Sequence, residues 1–292
     1  DLTPAFHHSG PGGRRVPGDG YHALRMGSCV GRRLIRKNLT QSNLGGGNGL
    51  PRQGNRIIMT SPDKQQFQSG TVSIRYSDSG AGTPVVFIHG FLDSGSMWDD
   101  FEAIEGFRLI KIDCRGHGDS DKPHKADAYG LEMVEDIARL LDHLEIEEAH
   151  LVGYSMGAEI AIKFGTLYPD RLLSLVAGGS GWSGESDAHN YRVLEKSLAE
   201  EGGLGGVLRS VMPDISDAEI AEMDAILSLQ DTDALAAASS GMGQIINLPA
   251  EVLQRFDFPV LGIAGELDPE RGNIEKMGDV VPNFTMQAIS GT

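Results

Sequence analysis

Between residues 149 and 167 the chain reads as a short apolar strand, a pentapeptide with glycine at both ends, and an apolar helix. The pentapeptide is Gly153-Tyr154-Ser155-Met156-Gly157. It follows Ala149–Val152 and opens Gly157–Leu167. A strand that reverses into a helix this quickly leaves no space for bulk two residues before and two after the turning residue. Glycine at both places is what such a turn needs. The turn pushes the Ser155 hydroxyl out of the sheet. It also sets the first helical N–H groups behind it, where they favour developing negative charge.

The same strand–helix rhythm runs through the rest of the chain. Thr71–Tyr76 alternates and reads as an edge-type strand closed by a turn at Ser77-Asp78-Ser79-Gly80. Val85–Ile88 is continuously apolar, as in a strand buried on both faces, and Arg108–Ile112 reads as another. Residues 126–144 place Leu131, Val134, Ile137, Ala138, Leu141 and Leu144 at helical spacing. Strands at Leu172–Ala177, Pro259–Ala264 and Phe284–Ile289 follow, with a helix at Asn273–Val281. The expected fold class is α/β, with a doubly wound, mostly parallel sheet and right-handed crossovers.

Residues 183–255 break the rhythm. Asp187–Glu200, Ser216–Leu229 and Thr232–Ser240 have helical character, and Ser216 with Glu219 forms a capping-box signature. An inserted helical cap over the sheet is expected. Met212, Met223 and Met242 belong to its core or line a pocket, since methionine adapts to irregular shapes.

Charge is uneven. The whole chain carries −16, with 25 Lys/Arg and 41 Asp/Glu. Residues 1–58 hold nine Lys/Arg and two Asp, a charge of +7. Residues 59–292 hold the other sixteen against thirty-nine acids, −23. The first segment is glycine-rich, without periodicity, and is expected to be disordered and foreign to the fold, with Met59 the natural start. The folded body is expected to span residues 59–292. Its acidity argues against nucleic-acid partners, and no apolar run reaches a membrane span. Two cysteines, Cys29 and Cys114, suit a reducing, cytoplasmic location. No metal-ligand spacing occurs, and His7-His8 stands without further ligands nearby, so neither metal nor cofactor is expected.

His89-Gly90-Phe91 follows the buried strand Val85–Ile88, at the strand ends where such sheets bind ligands. There the backbone N–H groups of Phe91 and Met156 can converge on one oxyanion. His89 itself reads as structural. Trp98 is placed at a pocket mouth or in the helix–sheet core.

From about Thr71 onward the sequence resembles the α/β-hydrolase family. The resemblance rests on His89-Gly90-Phe91, Asp113-Cys114-Arg115-Gly116-His117-Gly118-Asp119-Ser120, the turn at Ser155, and Gly265-Glu266-Leu267-Asp268 after a strand. It implies Ser155 as nucleophile and Asp268 as the acid that orients a histidine, in preference to Asp257 and Asp279. The implied histidine should follow Asp268, yet the nine histidines stand at 7, 8, 22, 89, 117, 124, 143, 150 and 189. The expectation is a chain cut short of its base and last segment, with His117 and His189 as weaker substitutes. A serine at the turn disfavours haloalkane dehalogenases and epoxide hydrolases, which resemble it in fold but use aspartate. Hydrolysis of a small or medium carboxylic ester is the first expectation. Thioester hydrolysis, carbon–carbon bond hydrolysis, perhydrolysis, and a non-catalytic small-molecule-binding role are the alternatives.

Overall fold

A computed structural model describes residues 64–101, 103–184, 189–199 and 215–290. Expectations about residues 1–58, Met212, and the side chains of Met223 and His189 fall outside the described residues. Eight strands form one sheet: β1 (Gln65–Ser69), β2 (Val72–Gly80), β3 (Thr83–Ile88), β4 (Phe107–Ile112), β5 (Ala149–Tyr154), β6 (Leu172–Gly178), β7 (Val260–Gly265) and β8 (Phe284–Ile289). The helices used below are α1 (Leu131–His143), α2 (Met156–Leu167), α3 (His189–Ala199), α4 (Asp217–Leu227), α5 (Thr232–Gly241) and α6 (Arg271–Met277).

The spatial order is β1-β2-β4-β3-β5-β6-β7-β8. β1 and β2 run antiparallel, as do β2 and β4, and every later pair is parallel. The order reverses between β3 and β5, so the loops after β3 and β5 leave the sheet side by side. That is the crevice where open α/β sheets bind ligands.

Several element bounds differ from the sequence reading. Ser77–Gly80 is strand, not turn: Tyr76 to Gly80 pair with Ile112 to Arg108. Arg108 grips Asp78 across that pairing with Nε and Nη2, at 3.0 and 2.7 Å, so two polar residues sit comfortably within a ladder. β1, polar along Gln65-Gln66-Phe67-Gln68, gives no apolar signal, and it pairs through Phe67 opposite Ile74. The helix expected from Ala126 begins at Leu131, because Gly130 at φ +69° interrupts it. The helix expected through Val281 ends at Met277, which leaves Asp279 in an exposed turn.

The core lies mainly against α1 and α2. Ile74, Val86, Ile88, Ile110, Ile112, Leu151 and Leu175 are fully buried there with Val134, Leu140, Ile160 and Phe164. On the other face, Val85, Phe87 and Leu109 pack with Trp98, whose ring lies 5.2 Å from Phe87 and 5.7 Å from Phe101. Trp98 is thus a core residue, not a pocket-mouth one. In the insertion, α3 packs on α5. Ser216 caps α4 by bonding the Glu219 N–H, and the Glu219 carboxylate bonds back to the Ser216 N–H. Met242 is wholly buried in the core, so it lines no open surface.

Candidate active site

β5 ends at Tyr154 and α2 starts at Met156, which leaves one residue for the reversal. Ser155 takes φ +50°, ψ −116°, a conformation costly for any residue with a side chain. Two features hold it there. Its N–H donates to Gly178 O on β6 at 2.8 Å, and its C=O accepts from Ala158 and Glu159 in the first turn of α2. The flanking glycines are sterically required. A Cβ on Gly153 would lie 2.2 Å from Gly157 O, and one on Gly157 would lie 2.2 Å from Ile88 O. The helix is thereby drawn against the end of β3.

That contact brings the loop after β3 to the serine. A Cβ on Gly90 would stand 3.5 Å from Ser155 Cβ, so the Gly90–Phe91 backbone runs beside the hydroxyl-bearing carbon. Met156 is the first residue of α2, and its N–H belongs to the group without an intrahelical partner. Met156, next to Ser155 in the chain, and Gly90, next to Phe91, thus both lie beside Ser155.

The histidines are occupied elsewhere. His89 is fully buried; its Nε2 accepts the Cys114 N–H at 3.0 Å, so its Nδ1–H donates to Gly90 O at 2.7 Å. Burial holds it neutral, with its pKa lowered. It is a strut between two loops. His117 bonds Arg115 O through Nδ1 at 3.1 Å, while its buried Nε2 has no partner. Burial first, and His89 second, push it down to about 3. An imidazole that avoids its proton this strongly is a poor base at neutral pH. His124 pairs with Asp231, His143 stacks on Phe67, and His150 bonds Ser174. The side chain of His189, at the start of α3, is outside the described residues.

Asp268 lies in the turn between β7 and α6. Its N–H donates to Gly265 O and its Oδ1 accepts the Glu270 N–H at 2.8 Å. Beside it, β8 pairs Ile289 with Gly265, and Ser290 Oγ donates to Glu266 at 2.9 Å. Ser290, just after β8, thus lies next to the turn that carries Asp268. Asp257 is exposed, ahead of β7.

The loop after β4 is built around charges. Arg115 is buried and clamps Asp136 of α1 with Nε and Nη2, at 2.7 and 2.6 Å. Asp113 accepts the N–H groups of Gly95 and Asp119 at 2.7 and 2.9 Å, and Lys64 at 2.9 Å. Burial alone would raise its pKa; the Asp119 N–H, Lys64 and the Gly95 N–H outweigh it and hold the carboxyl below the usual range.

Sequence reasoning missed Glu159. It follows Ser155 by four residues on α2 and bonds Ser180 after β6 and Tyr191 of α3. Burial raises its carboxyl to about 7, with Glu270 adding to the rise against the two hydroxyl bonds. The available signal was an acid one turn behind Ser155 in an otherwise apolar half-helix. Its partners come from distant sequence, so the pattern alone does not reveal them. Among the described residues, no group of three or more His, Cys, Asp or Glu is placed to hold a metal ion, and no helix is long and apolar enough to cross a membrane.

A family model described as alpha/beta hydrolase fold matches residues 83–199. A Bacillus subtilis protein provisionally named 2-succinyl-6-hydroxy-2,4-cyclohexadiene-1-carboxylate synthase is 39% identical over 119 residues, 37% of this chain and 43% of that protein. A 2-hydroxy-6-oxononadienedioate/2-hydroxy-6-oxononatrienedioate hydrolase of Paraburkholderia phymatum is 37% identical over 128 residues, 41% of this chain and 44% of that protein. The matched segments thus span less than half the length of these relatives. A thermophilic esterase from Thermogutta terrifontis superposes with a TM-score of 0.63 at 24% identity, covering 78% of this chain and 89% of that one. The mostly parallel eight-stranded sheet and these superpositions show that the chain has the α/β-hydrolase fold, in keeping with the family model over residues 83–199.

Proposed function

We propose that the chain is a serine hydrolase that cleaves small or medium carboxylic esters through an acyl-enzyme on Ser155. The observation that carries this reading is the strained Ser155 at the head of α2 with the Gly90–Phe91 backbone against it. In the proposed reaction the Ser155 oxygen attacks the ester carbonyl. The N–H groups of Met156 and Phe91 hold the oxyanion, a contribution of roughly 10²–10³ in rate for each donor. Asp268 orients the histidine that takes the serine proton and passes it to the leaving alcohol; water then releases the acid. None of the five histidines with described side chains is placed for that task, so a base from outside them is part of the proposal. No cofactor enters the reaction.

The test is hydrolysis of 4-nitrophenyl butyrate by the chain, by Ser155→Ala, and by the chain extended with any residues that follow Thr292 in its reading frame. Serine-dependent hydrolysis, rising by about 10³ or more on extension with a histidine, supports the reading. Equal rates in the extended chain with and without Ser155→Ala would refute it. A carbon–carbon bond hydrolase is the second reading, supported by the 37% identity over 128 residues to the dioate hydrolase of Paraburkholderia phymatum. It predicts turnover of a vinylogous diketone above that of the ester.

A further inference from the structure

Glu159 lies in the first turn of α2, and its N–H donates to Ser155 O at 3.2 Å. Long side chains on a helix lean toward its N-terminus, which here is Ser155 itself. Two hydroxyls hold the carboxyl. Ser180 Oγ donates to Oε1 at 3.1 Å, and Tyr191 Oη donates to Oε2 at 2.5 Å. The Tyr191 ring in turn lies edge-on to Phe91, 6.5 Å between centroids. Glu159, Tyr191 and Phe91 therefore form a continuous wall from the serine turn to the inserted helices, and part of the Glu159 surface stays exposed.

None of the steps proposed for ester cleavage uses this carboxyl. Enclosing its charged form costs free energy, which the two hydroxyl bonds offset only in part. Its surroundings are also uniform in sign. Tyr191 from α3 and Glu270 from the turn after β7 are the titratable groups that act on it, and among the described residues no cation bonds to it.

We propose that Glu159 is a specificity-determining residue that fits the cleft to acyl groups without negative charge and turns away those carrying a carboxylate near the reacting carbonyl. The proposal rests on the serine-hydrolase reading of Ser155. A substrate carboxylate brought against Glu159 and Glu270 meets like charge in a partly dry setting, where repulsion at contact distance exceeds its value in water several-fold. The expected discrimination is about tenfold or more in kcat/KM. Because Glu159 titrates at about 7, its negative charge grows across the neutral range, so rejection strengthens as pH rises.

The experiment compares kcat/KM for 4-nitrophenyl butyrate and mono-4-nitrophenyl glutarate, which differ by one terminal carboxylate. It uses the chain extended with any residues that follow Thr292 in its reading frame, and in that chain Glu159→Gln, Tyr191→Phe and Ser155→Ala, at pH 6 and pH 8.5. The parent is expected to prefer butyrate, more so at pH 8.5. Glu159→Gln is expected to cut that preference about tenfold at pH 8.5 and to remove its pH dependence. Tyr191→Phe removes a donor to the ionised carboxyl, so it should move the pH dependence upward. A preference that is independent of pH in the parent, or unchanged in both variants while hydrolysis still needs Ser155, overturns the specificity role alone. If neither ester is hydrolysed, or Ser155→Ala hydrolyses both as the parent does, the serine-hydrolase reading fails and the specificity role falls with it.

Discussion

Asp113 and Glu159 are both carboxyls drawn in from solvent at the same edge of the sheet, and their surroundings shift them in opposite directions. Burial pushes each toward the neutral form. Asp113 overcomes this with two backbone N–H groups and the Lys64 ammonium, donors that favour only the charged form. Glu159 has two hydroxyls, which can turn to accept as readily as donate, and an acid for a neighbour. One carboxyl is a fixed charge that ties loops together. The other can change its protonation near neutral pH. The kind of donor, more than the depth of burial, separates the two.

The largest test of that contrast is Asp113→Ala. It strands two buried N–H groups and should cost about 3 kcal/mol, which is about 6–12 °C in Tm for a body of this size. The Asp113 pKa is lowered by folding, so its contribution is present above the ordinary carboxylate range and is lost as pH falls through the folded value. Thermal melts of parent and variant should differ most near pH 7 and converge in acid.

Glu159→Gln should show the reverse sign. The Glu159 pKa is raised, so its stabilising effect is complete below about 4.5 and declines as pH rises through about 7. Urea denaturation should find the variant no better than the parent at pH 4.5 and about 2 kcal/mol more stable at pH 8.5. Equal stability at both values breaks the comparison.

Tyr191→Phe deletes a bond to that carboxyl and should destabilise by about 1.5 kcal/mol above pH 7, where the acceptor is charged, and by less below. The smallest effect is expected for Lys64→Met. Lys64 is 36% exposed, so removing it should cost below about 1 kcal/mol, measured against Asp113→Ala under the same conditions. A larger loss would mean that the ammonium, not the N–H pair, holds Asp113 ionised.

The parts of the fold legible in the sequence are those written in local steric or apolar terms. The Gly153–Gly157 spacing demands a tight reversal, and Val85–Ile88 and Leu172–Ala177 announce buried parallel strands. Asp268 and Phe91 are marked by their places after strands. What escaped reading depends on partners far away in the chain. β1 is polar and becomes a strand only because β2 lies beside it. Ser77–Gly80 has turn chemistry and is held extended by β4 and the Asp78–Arg108 pair. Glu159 gains its character from Ser180 and Tyr191, 21 and 32 residues away.

Arg115 has a consequence for how the molecule opens. Its clamp on Asp136 makes the loop after β4 and helix α1 a single mechanical unit. That loop also carries His117, against which the Phe91 ring rests at 5.4 Å. Fraying of α1 would therefore release the support behind Phe91 without disturbing a strand. Amide exchange along α1, the loop and the Gly90–Phe91 segment should share one opening free energy, below that of the central sheet. Such a shared value would mean that the threshold for releasing the Gly90–Phe91 segment is set by the helix that Arg115 grips, not by the strain at Ser155.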